Sequence, residues 1–165
     1  MTVYLFMPMN RFRVLIALVL FSCTGLSQEK KRYAFFELAG SGGVGSLNYE
    51  QSFLQKEKTQ FTWRAGLSFA PIDKNNGMGI VLPFMANAAF GASKHKLEFG
   101  LGQALTVTTK GNWFILAPAL LGYRYENPDK KIVYRVSYTP LISWLFDFQV
   151  QQWGGLSIGY KFTKP

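Results

Sequence analysis

The sequence has one cysteine, one histidine and only nine acidic residues among 165, and each shortage removes a class of protein. A lone Cys23 cannot close an internal disulfide, so cysteine usage leaves the redox compartment open. One histidine, His95, and one cysteine cannot complete a closed set of metal ligands. A membrane-crossing helix needs about 20 apolar residues, and the apolar run at residues 14–21 falls well short of that. No stretch is polar enough to stay disordered. From Tyr33 onward no 3.6-residue apolar stripe runs long enough to make a helix.

At the start of the chain, Arg11 and Arg13 precede the run at 14–21, and the small residues Ser22, Gly25 and Ser27 follow it. That is the three-part plan of a secretory signal, expected over residues 1–27 with cleavage before Gln28 and Met9 as an alternative start. The mature domain is then 28–165. Leu20-Phe21-Ser22-Cys23 also reads as a lipobox that would lipidate Cys23, although Phe21 fits it poorly. The net charge of +9 fits a nucleic-acid binder. Part of that charge leaves with the signal, however, and no nucleic-acid motif is present.

What the chain has in quantity is glycine, 16 residues, and phenylalanine, 15. They fall into segments of two-residue rhythm. Over 60–70, Phe61, Trp63, Ala65, Leu67 and Phe69 alternate with Thr62, Arg64, Gly66 and Ser68, so one face of a strand is wholly apolar. The rhythm recurs over 46–54, 96–103, 131–139 and 154–162. Segments 33–40, 79–92 and 112–126 carry apolar residues on both faces but have strand length and bounding turns. In 79–92 the inward set includes Val81, Pro83 and Met85. The connections expected are 41–45, 55–59, 71–78, 93–95, 104–111, 127–130 and 141–153. Eight strands return both chain ends to one side.

The charged strand residues Glu37, Glu50, Arg64, Glu98, Arg124, Arg135 and Lys161 share the face rich in Gly, Ser and Thr, and the bulky face carries essentially none. A soluble barrel has the opposite arrangement. A lipid-facing Arg or Lys near the bilayer midplane costs about 2–4 kcal/mol, which is a reason to clear one face of charge. Hydrocarbon also requires every backbone group to be paired, and a closed barrel achieves that. Aromatic residues near segment ends, Tyr33, Phe53, Phe61, Phe69, Trp113, Tyr125, Trp153 and Phe162, are expected to form interfacial girdles. The fold expected is all-β: an eight-stranded antiparallel up-and-down transmembrane β-barrel behind a cleaved signal peptide. A soluble β-sandwich would also alternate, but it explains neither the charge segregation nor the terminal strand.

Glu37-Leu38-Ala39-Gly40 leads through a glycine loop to Ser46-Leu47-Asn48-Tyr49-Glu50. Further on come Pro118 with Leu121-Gly122-Tyr123-Arg124-Tyr125, and then Gly159-Tyr160-Lys161-Phe162. On these blocks the chain resembles the small outer-membrane β-barrel proteins of the Bacteroidetes, over nearly all of the mature chain. The resemblance implies residence in the cell outer membrane of a Gram-negative bacterium, outer-membrane lipids as partners, and insertion by the barrel-assembly machinery. Phe162 resembles the terminal aromatic that this machinery reads, although Thr163-Lys164-Pro165 follow it.

Eight strands leave an interior just wide enough for side chains. Glu37, Glu50 and Glu98 against Arg64, Arg124, Arg135 and Lys161 are therefore expected to form a buried ion network that holds the barrel closed, with proton or ion conduction as the alternative. His95 falls in a turn on the periplasmic side, so no Ser-His-acid site assembles at the outer rim. No catalytic, cofactor or metal residue is expected, and residues 41–45 lack the helix and lysine of a phosphate cradle. The lysine-rich periplasmic turns have anionic lipid headgroups within reach. The connection 141–153, from Leu141 through Trp144, Leu145, Phe146, Asp147 and Phe148 to Trp153, reads as a site for an extracellular partner or as a lid. The function expected is a structural or surface-interaction role without catalysis. The alternative is a barrel that binds or carries a small apolar ligand or lipid; a lipid-modifying enzyme needs a site that is not found.

Overall fold

The computed structural model describes residues 30–143 and 148–162. The segment 1–27 expected to be a signal peptide, with Met9 and Cys23, the loop residues Trp144, Leu145, Phe146 and Asp147, and the tail Thr163, Lys164 and Pro165 lie outside them.

Seven strands follow one another as β1 (Arg32–Ala39), β2 (Gly45–Lys56), β3 (Thr59–Asp73), β4 (Gly77–Phe90), β5 (His95–Thr108), β6 (Trp113–Glu126) and β7 (Ile132–Tyr138). Two short strands, β8 (Leu141–Ser143) and β9 (Gln149–Gln151), form a hairpin, and β10 (Gly154–Phe162) ends the described chain. Each of β1 to β6 pairs antiparallel with the next. β10 pairs with both β7 and β1 and closes the ring. The fold is the eight-stranded antiparallel up-and-down barrel that the alternation predicts, with β8–β9 added against β6 at Ala117 and Pro118.

Side-chain direction alternates as strand geometry requires. Along β4, Val81, Pro83, Met85, Asn87 and Ala89 are buried inside, while Ile80, Leu82, Phe84 and Phe90 are exposed outside. The exposed outer surface carries apolar side chains on all eight barrel strands, among them Phe36, Leu47, Phe69, Ile80, Leu101, Leu121, Val136 and Ile158.

The strands are of unequal height. β3 to β6 have 14 or 15 residues, whereas β1, β7 and β10 have 7 to 9. At the end holding Arg32 and Phe162, here the lower end, neighbouring strands finish nearly together, as in Arg32↔Phe162, Tyr160↔Ile132, Glu126↔Val133 and Phe90↔Leu97. The difference therefore falls at the upper end. β7 stops at the pair Leu121↔Tyr138, leaving residues 113–120 of β6 above it. The pair Ser46↔Ser68 is the last between β2 and β3, so residues 69–73 bond to β4 alone.

Three connections differ from expectation. Residues 104–108 continue β5, with Ala104 and Thr106 buried and Leu105 and Val107 exposed. Their small and hydroxylic inward residues disguise the strand as a turn. Residues 71–73 continue β3, with Pro71 near its unpaired upper edge, where a missing N–H costs least. The connection 141–153 contains the β8–β9 hairpin. Tyr33, expected in an interfacial girdle, is buried inside the barrel instead.

Candidate functional site

The interior is the part of the molecule with concentrated chemistry, and it divides into a charged waist and an uncharged upper chamber. Alternation sends Tyr33, Phe35 and Glu37 of β1 inward together, while β10 offers only Gly155, Ser157, Gly159 and Lys161. The small residues make room for the large. Gly159 lies opposite Phe35, and a Cβ on it would stand 2.3 Å from the ring, so the ring lies flat on bare backbone. The rings then face the guanidinium groups: Arg135 sits 4.4 Å from the Phe35 centroid and Arg124 4.4 Å from that of Tyr33.

Arg124 and Arg135 are direct cross-strand neighbours, an arrangement that repels unless anions intervene. Two do. Glu50 reaches across the lumen from β2, with Oε1 2.6 Å from Arg124 Nη1 and Oε2 2.7 Å from Arg135 Nη2. Glu98 of β5 accepts from Arg135 Nε at 2.7 Å and Nη2 at 2.9 Å, and lies 3.9 Å from Arg124.

Higher in the barrel, Arg64 of β3 is ion-paired with Glu37 of β1. Ser41, Ser46 and Ser157 donate to the same carboxylate at 3.2, 3.3 and 3.3 Å. Gly40, at φ +81°, packs against it where a Cβ would stand 2.5 Å from the Glu37 carboxyl carbon.

Lower down, Lys96 donates to Glu126 at 2.8 Å, Tyr33 donates to Glu126 at 3.0 Å, and Gln60 donates to the Tyr33 hydroxyl at 3.1 Å. Among the described residues, the four carboxylates Glu37, Glu50, Glu98 and Glu126 thus meet four cations, Arg64, Arg124, Arg135 and Lys96. Lys161 stands apart from them: it is buried but donates to the Pro128 carbonyl at 3.1 Å.

Lys96, Glu126, Tyr33 and Phe35 are missing from the network as read from sequence, yet the signal was present. Lys96 is two residues from Glu98, Glu126 two from Arg124, and Tyr33 and Phe35 precede Glu37 at the same spacing, so each shares its neighbour's face. With Arg64, Arg124, Arg135 and Met85, the two rings are among the largest fully buried side chains, and together they fill the waist.

Above the waist the lumen changes character. The inward-folded turn Gly40–Gly42 makes a floor, its three residues all buried. Over it lies a half-open cavity of about 390 Å³ lined by Ala70, Ile72, Val81, Ala104, Phe114 and Leu116, with no charged residue in its lining. Trp153, half-buried, donates from Nε1 to the Gly43 carbonyl at 3.3 Å and ties the foot of the hairpin to the β1–β2 connection. A second recess of about 380 Å³ at the lower mouth is lined by Lys31, Lys56, Lys96 and Lys161 with Glu57 and Glu126.

His95 opens β5 at the lower end, exposed, and is hydrogen-bonded through Nδ1 to the Tyr123 hydroxyl. Phe162 is exposed on the outer face of β10, its ring packed edge-on against Tyr160. Among the described residues no three His, Cys, Asp or Glu side chains are grouped to hold a metal ion.

No protein-family model matches the chain, and no curated protein matches its sequence. Among solved structures, the N-terminal β-barrel domain of Pseudomonas aeruginosa OprF is similar at a TM-score of 0.57 and 14% identity, over 82% of this chain and 98% of that one. Ail, the attachment invasion locus protein of Yersinia pestis, solved with the heparin analogue sucrose octasulfate, matches at a TM-score of 0.35 and 16% identity, over 81% of this chain and 97% of that one. The likeness to the OprF domain is a likeness of fold: an eight-stranded barrel of the outer-membrane type.

Proposed function

We propose that this chain is an integral outer-membrane β-barrel protein of the Bacteroidetes type, with a structural or surface-interaction role and no catalytic activity of its own. The observation that carries the reading is the inversion of polarity across the wall. Arg64, Arg124, Arg135, Glu37, Glu50 and Glu98 are sealed inside, while every barrel strand exposes large apolar side chains on its outer surface. Water gives no reason for that arrangement, and a bilayer does. With the waist filled by side chains, the barrel is a closed plug and not a solute channel. The lower end, which holds the short Lys-bearing turns and the described chain ends, faces the periplasm, and the β8–β9 hairpin with exposed Phe148 faces outward and offers a surface to an extracellular partner. Phe162 is the aromatic read during insertion by the assembly machinery.

The test is fractionation of cells expressing the full chain. Recovery in the outer-membrane fraction, with a band that migrates faster unheated than boiled, is the expected result. Recovery as a soluble periplasmic protein defeats the proposal.

A further inference from the structure

The upper chamber is bounded by two strand edges that no other described strand covers. On one side, residues 69–73 of β3 bond only to β4. On the other, β9 bonds only to β8. Both edges line the cavity, through Pro71 and Ile72 on one side and Gln149 and Gln151 on the other. Between them the wall drops, because β1, β2, β7 and β10 all end lower. The sill is Val44, exposed, beside the Trp153–Gly43 hydrogen bond.

The height of this gap follows from the register. Val81 and Thr106 line the chamber and are paired across β4 and β5. Their chain neighbours Ile80, Leu82, Leu105 and Val107 point outward and are exposed. The chamber is therefore level with apolar outer surface, not with a polar rim, and its gap opens at the depth of hydrocarbon. A void of about 390 Å³ falls in the size range of small-molecule sites, roughly 300–1,000 Å³. The small inward residues Ala70, Ala104 and Gly79 keep it from being filled.

We propose that the upper chamber is a binding site for a single hydrocarbon chain, which enters sideways from the outer leaflet between the upper edge of β3 and the edge of β9. The chain lies against Ala70, Val81, Ala104 and Leu116, above the Gly40–Gly42 floor that separates it from Glu37 and Arg64. The lining hydroxyls of Ser41 and Thr106 and the lining amides of Gln149 and Gln151 suit a chain that ends in a polar head. This site rests on the outer-membrane reading given above.

The experiment uses the full barrel in phosphatidylethanolamine vesicles with two probes: palmitate with a diazirine at its terminal carbon, and a phosphatidylethanolamine bearing the same chain. After irradiation, labelled residues are mapped by mass spectrometry. Labelling of the inward residues Val81, Ala104 and Thr106 supports the site. Labelling from the phospholipid identifies a membrane lipid as the source of the chain, and labelling from palmitate alone identifies a free acid. Ala104→Trp, which fills the chamber, and Val81→Phe as a milder filler should each cut inward labelling by roughly tenfold, a change of about 1.4 kcal/mol in occupancy. Outward labelling at Leu82, Leu105 and Val107, and heat-modifiable migration, should persist. Labels confined to outward residues, or inward labels untouched by both fillers, overturn the chamber. Absence of outward labels overturns the membrane reading itself.

Discussion

Replacing Glu50 by Gln tests whether the waist holds the barrel together. Glu50 is fully buried and stands between two guanidinium groups that face each other across β6 and β7. The substitution keeps the shape and one acceptor oxygen but removes the charge. Arg135 retains Glu98 at 2.7 Å, so it is largely compensated. Arg124 keeps only Glu126 at 3.4 Å and Glu98 at 3.9 Å. The loss is thus one uncompensated buried cation, not two, which places the cost near the lower end of the range for breaking a buried pair, about 3 kcal/mol. That corresponds to a fall of roughly 10²-fold in the folded-to-unfolded ratio. Urea titration of the barrel refolded in lipid vesicles, followed by the unheated gel band, reads this as a lower midpoint at unchanged slope. Glu57→Gln, on the exposed β2–β3 turn, is the control and should stay within about 0.5 kcal/mol of the parent. If E50Q behaves like E57Q, the waist is not a stabilising element and the argument from cross-strand arginines fails.

Leu101, 72% exposed on the outer face of β5, should cost about 2–4 kcal/mol as Leu101→Arg in vesicles, and a negligible penalty there would place this face in water. Gly159→Val should cost about 1–3 kcal/mol by driving Phe35 off its seat, and Gly159→Ala less; equal stability of all three would mean that the ring can sit elsewhere. Ala39 holds φ 58° and ψ −151°, a glycine conformation costing about 1–3 kcal/mol, more than the 0.4–1 kcal/mol that glycine adds to the unfolded chain's entropy. Ala39→Gly should accordingly raise the urea midpoint. Ending the chain before Gly159 removes the lower half of β10, which pairs with β1 on one side and β7 on the other, so the heat-modifiable band should disappear.

The strand pattern was legible because burial in a barrel follows a period of two, and Phe61 to Phe69 display it with no competing signal. Where both faces are apolar, as along β4, periodicity alone is silent and length and turns decide. Ala104 to Thr108 read as a turn because small inward residues mimic one; their smallness reflects the chamber they border. Tyr33 sits at a strand end, where an aromatic suits an interface, yet its even spacing from Glu37 places it inside. The network was half visible: charges can be assigned to a face from sequence, but which of them meet depends on pairings across the lumen, such as Glu50 with Arg124, that no local pattern records. The unequal strand heights were invisible for the same reason, since they emerge only when the ring closes.

Those heights also bear on the outer-membrane residence proposed above. With a rise of about 3.4 Å per residue and a tilt near 40°, a strand of 8 residues reaches about 21 Å along the barrel axis and one of 14 about 37 Å. The first is shorter than a hydrocarbon core of about 30 Å and the second longer. In the outer membrane proposed above, a core of that thickness stands higher than the wall beside β1, β7 and β10, where the gap lies, and falls short of β3 to β6, at a cost of about a fraction of a kcal/mol per Å of mismatch. Leaning of the barrel would lower that cost. A molecule that is nearly cylindrical in outline thereby gives its membrane a direction.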